Sequence, residues 1–104
     1  MNAKLLKNVE LWKDTLKRDM KKLTINLCRE AETKEDSMEK RLYFLGTETQ
    51  RLTEPLFQAL VIEAISMVDS GDVEKKLSVA TWVLTELSNA ASEGIDNGVE
   101  EFYA

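Results

Sequence analysis

The sequence predicts an all-α protein, an antiparallel bundle of three to four amphipathic helices with apolar surface left over for self-association. Three observations carry that prediction. Apolar residues recur at three- and four-residue spacing along most of the chain. The 104 residues include only four glycines and one proline, too few for the turns of an all-β fold. Strong helix formers fill most of the gaps between the apolar positions. A chain of this length is expected to form one domain, residues 1–104.

The first helix is expected over about residues 3–31. Leu5, Val9, Trp12, Leu16, Met20, Leu23 and Leu27 form one narrow stripe, close to a coiled-coil seam. The pattern lapses at 31–36, where Thr33 followed by Asp36 resembles a capping box. A second helix is expected over about 34–53, with Met38, Leu42, Leu45, Thr49, Leu52 and Leu56 in the same rhythm. Gly46 interrupts this segment, but the heptad phase passes through it, so the helix is expected to continue.

Pro55 admits two readings. With Thr53 as N-cap it opens a third helix over about 54–69, because proline suits a first turn and disrupts a helix interior. Alternatively, that segment is a kinked extension of the second helix. Ser70-Gly71-Asp72 is the clearest break, with Gly71 suited to a left-handed C-terminal position and Asp72 to capping. A last helix over about 72–93 carries Val73, Leu77, Ala80, Leu84, Leu87 and Ala91, and Gly94 is expected to end it. Residues 95–104 read as a short acidic tail that docks as a final turn or frays.

The net charge of −5 is unevenly spread. Residues 1–30 hold eight bases and four acids, whereas residues 31–104 hold six and fifteen. Such polarity can steer a partner or stack protomers head to tail. It can equally mean that the basic helix lies against acidic helices of its own chain. No run approaches the roughly 18 apolar residues of a membrane span. A lone cysteine and a charged N-terminal segment suit a reducing, cytoplasmic setting.

Catalytic equipment is scarce. The chain has no histidine, which excludes Ser-His and Cys-His nucleophile pairs, most zinc sites and Glu-x-x-His di-iron sites. Gly46, Gly71, Gly94 and Gly98 are too dispersed for a phosphate loop. An all-carboxylate magnesium site would need converging acids. Glu32 and Glu35 fall in an expected connection, and Glu63 and Asp69 are six residues apart, off one helical face. No catalytic, cofactor or metal residue is therefore assigned. Cys28, off the main stripe, is expected to be a partly exposed small apolar residue rather than a nucleophile. Trp12 and Trp82 are expected in the core.

Two surfaces are candidates for partner binding. From Leu56 to Val68 only Gln58, Glu63 and Ser66 are polar. The apolar arc there, including Phe57, Leu60, Val61 and Val68, spans about 220° of the wheel, against the about 100° of an ordinary surface helix. That segment either sits at the bundle centre, with Glu63 seeking a base on helix one, or buries a face against another chain. The second candidate is the polar side of helix one, where Leu11, Arg18 and Ile25 lie seven residues apart among Lys4, Lys7, Lys22 and Arg29.

The function expected is therefore macromolecule binding without catalysis, as a small adaptor, inhibitor or regulator. The partners expected are another protein and a second copy of the chain as a homo-oligomer. Small acidic helical proteins of this type are common among phage and mobile-element modulators. Nucleic-acid binding by the basic first helix ranks second, because the chain is acidic and that helix shows no aromatic stacking group on its polar side. A carboxylate–metal nucleotide hydrolase ranks third. An acidic surface that mimics nucleic acid in a basic groove is a further possibility.

Overall fold

The computed structural model describes residues 2–68 and 71–104. These form three helices: α1 (Ala3–Lys34), α2 (Met38–Ser66) and α3 (Val73–Tyr103). Among the described residues there is no strand.

Each helix begins where a short polar side chain can satisfy unpaired N–H groups. The Asn2 carbonyl oxygen accepts from the Lys4 N–H at 2.8 Å and from that of Leu5 at 3.4 Å. Ser37 accepts from the Lys40 N–H at 3.2 Å, and Asp72 from the Glu74 N–H at 2.9 Å. The expected Asp72 cap is thus present. The capping box expected at Thr33 and Asp36 is not, since Thr33 still belongs to α1 and its hydroxyl donates to the Glu30 carbonyl.

The helix count is three, the lower of the two counts expected. α2 runs unbroken through Gly46 and Pro55. Pro55 leaves the Arg51 carbonyl without its helical donor, but it lies on the exposed side of α2, where water can reach that carbonyl. Thr53 caps nothing, and its hydroxyl donates back to the Thr49 carbonyl at 2.9 Å. α2 ends at Ser66, before the expected limit, and Asp69 and Ser70 lie outside the described residues. No glycine has positive φ among the described residues, so Gly71 is not the left-handed cap expected.

The larger correction is at the C-terminus. Gly94 does not end α3, and residues 95–104 are not a frayed tail: the helix continues to Tyr103. Gly94 and Gly98 are both buried against α1. A Cβ at Gly94 would collide with the Lys17 carbonyl oxygen and lie 2.9 Å from Met20 Cβ. One at Gly98 would lie 2.7 Å from Thr24 Cβ and 2.8 Å from the Lys21 carbonyl oxygen. Each glycine weakens the isolated helix by about 1 kcal/mol relative to alanine. Here that loss is offset by a backbone approach that no other residue permits.

Ion pairs fix the helix directions. Lys13–Glu86, Lys17–Glu93 and Lys21–Glu101, at 2.9, 2.7 and 3.3 Å, advance together along both helices. α1 and α3 are therefore parallel. α2 returns between them, with the Asn2 amide donating to the Met67 carbonyl at one end and the Tyr103 hydroxyl against Met38 Sδ at the other. Consecutive helices are antiparallel, and the tightest pair is not.

The core is split unequally. α1 supplies eight buried residues and α3 six, but α2 only Leu45, Thr49 and Ala64. Leu5, Val9, Leu16, Met20, Val83, Leu87, Ala90 and Ala91 form the main cluster with Ala64, and Leu27, Cys28 and Leu45 form a second. The result is long and thin, 52 × 21 × 14 Å. Its radius of gyration is 16.1 Å, against about 13 Å for a compact domain of this length.

Candidate functional site

The seam expected on α2 forms but is poorly covered. Leu45 and Thr49 are buried, whereas Met38, Leu42, Leu52 and Leu56 remain exposed. α3 shows the same contrast along its length. Leu87 and Ala91 are buried, but Val73, Leu77 and Leu84 toward its N-terminus are not, and Leu77 is 62% exposed. The C-terminal half of α2 and the N-terminal half of α3 thus present apolar side chains that their own chain leaves open.

Two grooves flank α2. One, of about 510 Å³, lies on the α3 side and is walled by Thr53, Phe57, Val61, Ile62 and Leu84. The other, of about 380 Å³, lies on the α1 side between Trp12, Leu16, Leu23, Leu52, Leu56 and Leu60. Of the residues singled out on this segment, Phe57 and Val61 come together in the first groove, and Leu60 lines the second. Val68 is half-buried beyond the end of α2. The segment is not the centre of the bundle, because only Ala64 of it is fully buried. Glu63 is exposed and makes no ion pair with a base on α1 among the described residues, so the pairing tied to a central position does not form. Ile62, 67% exposed, is the most exposed large apolar residue in the C-terminal half of α2, and the arc alone could not single it out.

The candidates on α1 lie apart from these grooves. Lys7, Leu11, Arg18 and Lys22 are exposed, and Ile25 is half-buried. Part of the basic character of α1 is used within the chain, since Lys13, Lys17 and Lys21 face the acids of α3. The hydrogen bond to Glu86 is the largest cause that holds the Lys13 ammonium above its ordinary value of 10.5; burial opposes it, and the hydrogen bond to Glu10 adds to the rise. Because the folded value is raised, the pairing stabilises the fold fully below pH 10.5 and ceases to do so as pH climbs past the raised value. All three pairs keep contact with solvent, Lys13–Glu86 the least, so each contributes about 1 kcal/mol or less.

Chemistry finds little purchase here. Among the described residues no cluster of three or more Cys, Asp or Glu side chains could hold a metal ion. Cys28 is 2% exposed rather than partly open as its wheel position suggested. It packs beside Leu23, Phe44, Val99 and Phe102, and burial, with a smaller push from Glu32, raises its thiol above the ordinary value. A thiol held in its neutral form is a poor nucleophile. Trp12 and Trp82, expected in the core, are half-buried at its edge, and Trp12 also walls the groove on the α1 side. No helix among the described residues is long and apolar enough to cross a membrane.

No protein-family model matches the chain, and no curated protein or solved structure matches it.

Proposed function

We propose that this protein is a non-catalytic protein-binding module, an adaptor, inhibitor or regulator, that also pairs with a second copy of itself across the outer face of α2 and the adjoining start of α3. The uncovered apolar surface there carries the reading. Phe57, Val61, Ile62, Leu77 and Leu84 are half-buried or exposed along two neighbouring helices. Contiguous patches of this kind mark protein interfaces.

Area supports a second copy as occupant. The chain exposes 6778 Å², whereas a compact monomer of its mass exposes roughly 5,900 Å². The excess, roughly 900 Å², is close to the about 800 Å² that each partner buries in a standard interface. A two-fold pairing of this face would bring the surface down to that of an ordinary globular protein.

Light scattering across a concentration range, on the wild type and on Ile62→Glu, tests the proposal. Ile62 is exposed, so the substitution does not touch the protein's own core. The wild type is expected at twice the 11.8 kDa chain mass. The variant is expected at the chain mass, with helicity unchanged. A wild type that stays at the chain mass throughout, or a variant that associates as the wild type does, would overturn the pairing.

A further inference from the structure

The pairing proposed above leaves the outer side of α1 uncovered, and that side has its own pattern. At 100° per residue, Lys4, Lys7, Arg18, Lys22 and Arg29 fall within a sector about 60° wide, directly opposite the buried seam. Leu11 and Ile25 lie in the same sector. No acid falls inside it, and Asp14 and Glu32 sit at its edge. Among the described residues Lys4, Lys7, Lys22 and Arg29 form no ion pair, and Arg18 reaches only its neighbour Asp19, at 3.9 Å. So the cations not taken up by α3 form a stripe about 37 Å long on a chain whose net charge is −5.

The stripe advances by three and four residues, with one seven-residue step from Leu11 to Arg18, the rhythm by which one helix packs along another. Leu11, 56% exposed, and Ile25 are fourteen residues apart with Arg18 midway. That interval is two heptads, or about 21 Å, so both aliphatic groups and the arginine meet the same line on a partner helix.

We infer that this stripe docks an amphipathic helix of a different protein, one whose contact face carries aliphatic residues two heptads apart within a row of Asp and Glu. Charge complementarity specifies the acids, and the helical interval specifies the helix. A nucleic-acid backbone fits less well. It would leave Leu11 and Ile25 against phosphate, the stripe offers no aromatic group for stacking, and a duplex carries a charge every 1.7 Å or so, which the remaining acidic surface repels. A second copy fits less well too, because Glu86, Glu93 and Glu101 of α3 already face α1 of their own chain. The inference deepens the protein-binding reading but uses a surface separate from the self-pairing face.

The test is fluorescence anisotropy of the full chain with a labelled synthetic helix of about 30 residues, bearing leucines two heptads apart within a row of glutamates. A matched helix with lysine for glutamate and a DNA duplex of similar length serve as competing probes. The acidic helix is expected to bind saturably, and the lysine helix at least about tenfold more weakly. Arg18→Glu with Lys22→Glu should weaken the acidic helix about tenfold, and Leu11→Ser with Ile25→Ser about fivefold, without changing helicity. Light scattering on the same samples should show self-association unchanged, which separates a failure here from a failure of the pairing. No saturable binding of the acidic helix, unaltered binding by the charge-reversed variant, or tighter binding of the duplex would each overturn the inference.

Discussion

The α1–α3 pair and α2 are built from similar residues at similar spacing, yet they are held in place by different means. α1 and α3 meet along a seam that buries α3 from Val83 to Gly98, with glycines at the closest approach and ion pairs along the rim. α2 is as long and as apolar, but only three of its residues are buried, and it leaves open grooves on both sides. Apolar periodicity decides which side chains share a face. Whether that face is covered depends on how closely the neighbouring backbones can approach. Gly94 and Gly98 bring α3 to α1, and no equivalent device brings α2 to either.

That contrast can be broken most severely at Gly94. Gly94→Ala drives a Cβ into the Lys17 carbonyl oxygen, a backbone atom that cannot swing aside. The expected destabilisation is about 3 kcal/mol by urea denaturation, even though alanine is the better helix former. A neutral result would mean that the two backbones are farther apart than described.

Truncations sharpen the comparison. Leu87→Ala, in the fully buried seam, should destabilise by about 3 kcal/mol. Ile62→Ala on α2 should change the stability of the isolated chain by less than about 0.5 kcal/mol at micromolar dilution. Equal losses at the two sites would show that α2 is a full member of the core.

A smaller effect is expected inside the tight pair. The Thr24 hydroxyl is buried beside Gly98 with no hydrogen-bond partner among the described residues. Thr24→Val removes that unpaired group at nearly constant shape and should stabilise by about 1 kcal/mol, read as a higher denaturation midpoint.

A second glycine is expected to respond with the opposite sign to Gly94. Gly46 lies on the open part of α2, where a Cβ would meet nothing within 4 Å. Gly46→Ala should stabilise by about 0.7 kcal/mol. Two glycine-to-alanine substitutions, each within a helix, should thus move the melting temperature in opposite directions.

Much of the fold was legible in the residues. The α1 seam, the continuity of α2 through Gly46 and the Asp72 cap each follow from local spacing or side-chain chemistry. Gly94 and Gly98 misled because glycine near a helix end reads as a stop, although their four-residue interval with Ala90 also marks a close-packed face. Pro55 left two readings open, and the extension holds because one lost hydrogen bond is small beside the many that a 29-residue helix retains. Cys28 misled because a helix with two neighbours buries a wider arc than its main seam. Of the candidate surfaces, the sequence singled out Phe57, Leu60 and Val61 from the width of the apolar arc. It could not divide them between two grooves, since that requires knowing where α1 and α3 lie.

The central claim is that α2 depends on a second copy for the cover its own chain does not supply. Amide hydrogen exchange at low and high protein concentration tests it most directly. Protection of α2 over residues 50–66 should rise with concentration, while that of the α1–α3 seam around Leu16, Val83 and Leu87 stays constant. Protection of α2 that matches the seam at every concentration would contradict the claim, because it would mean that the chain alone holds all three helices equally.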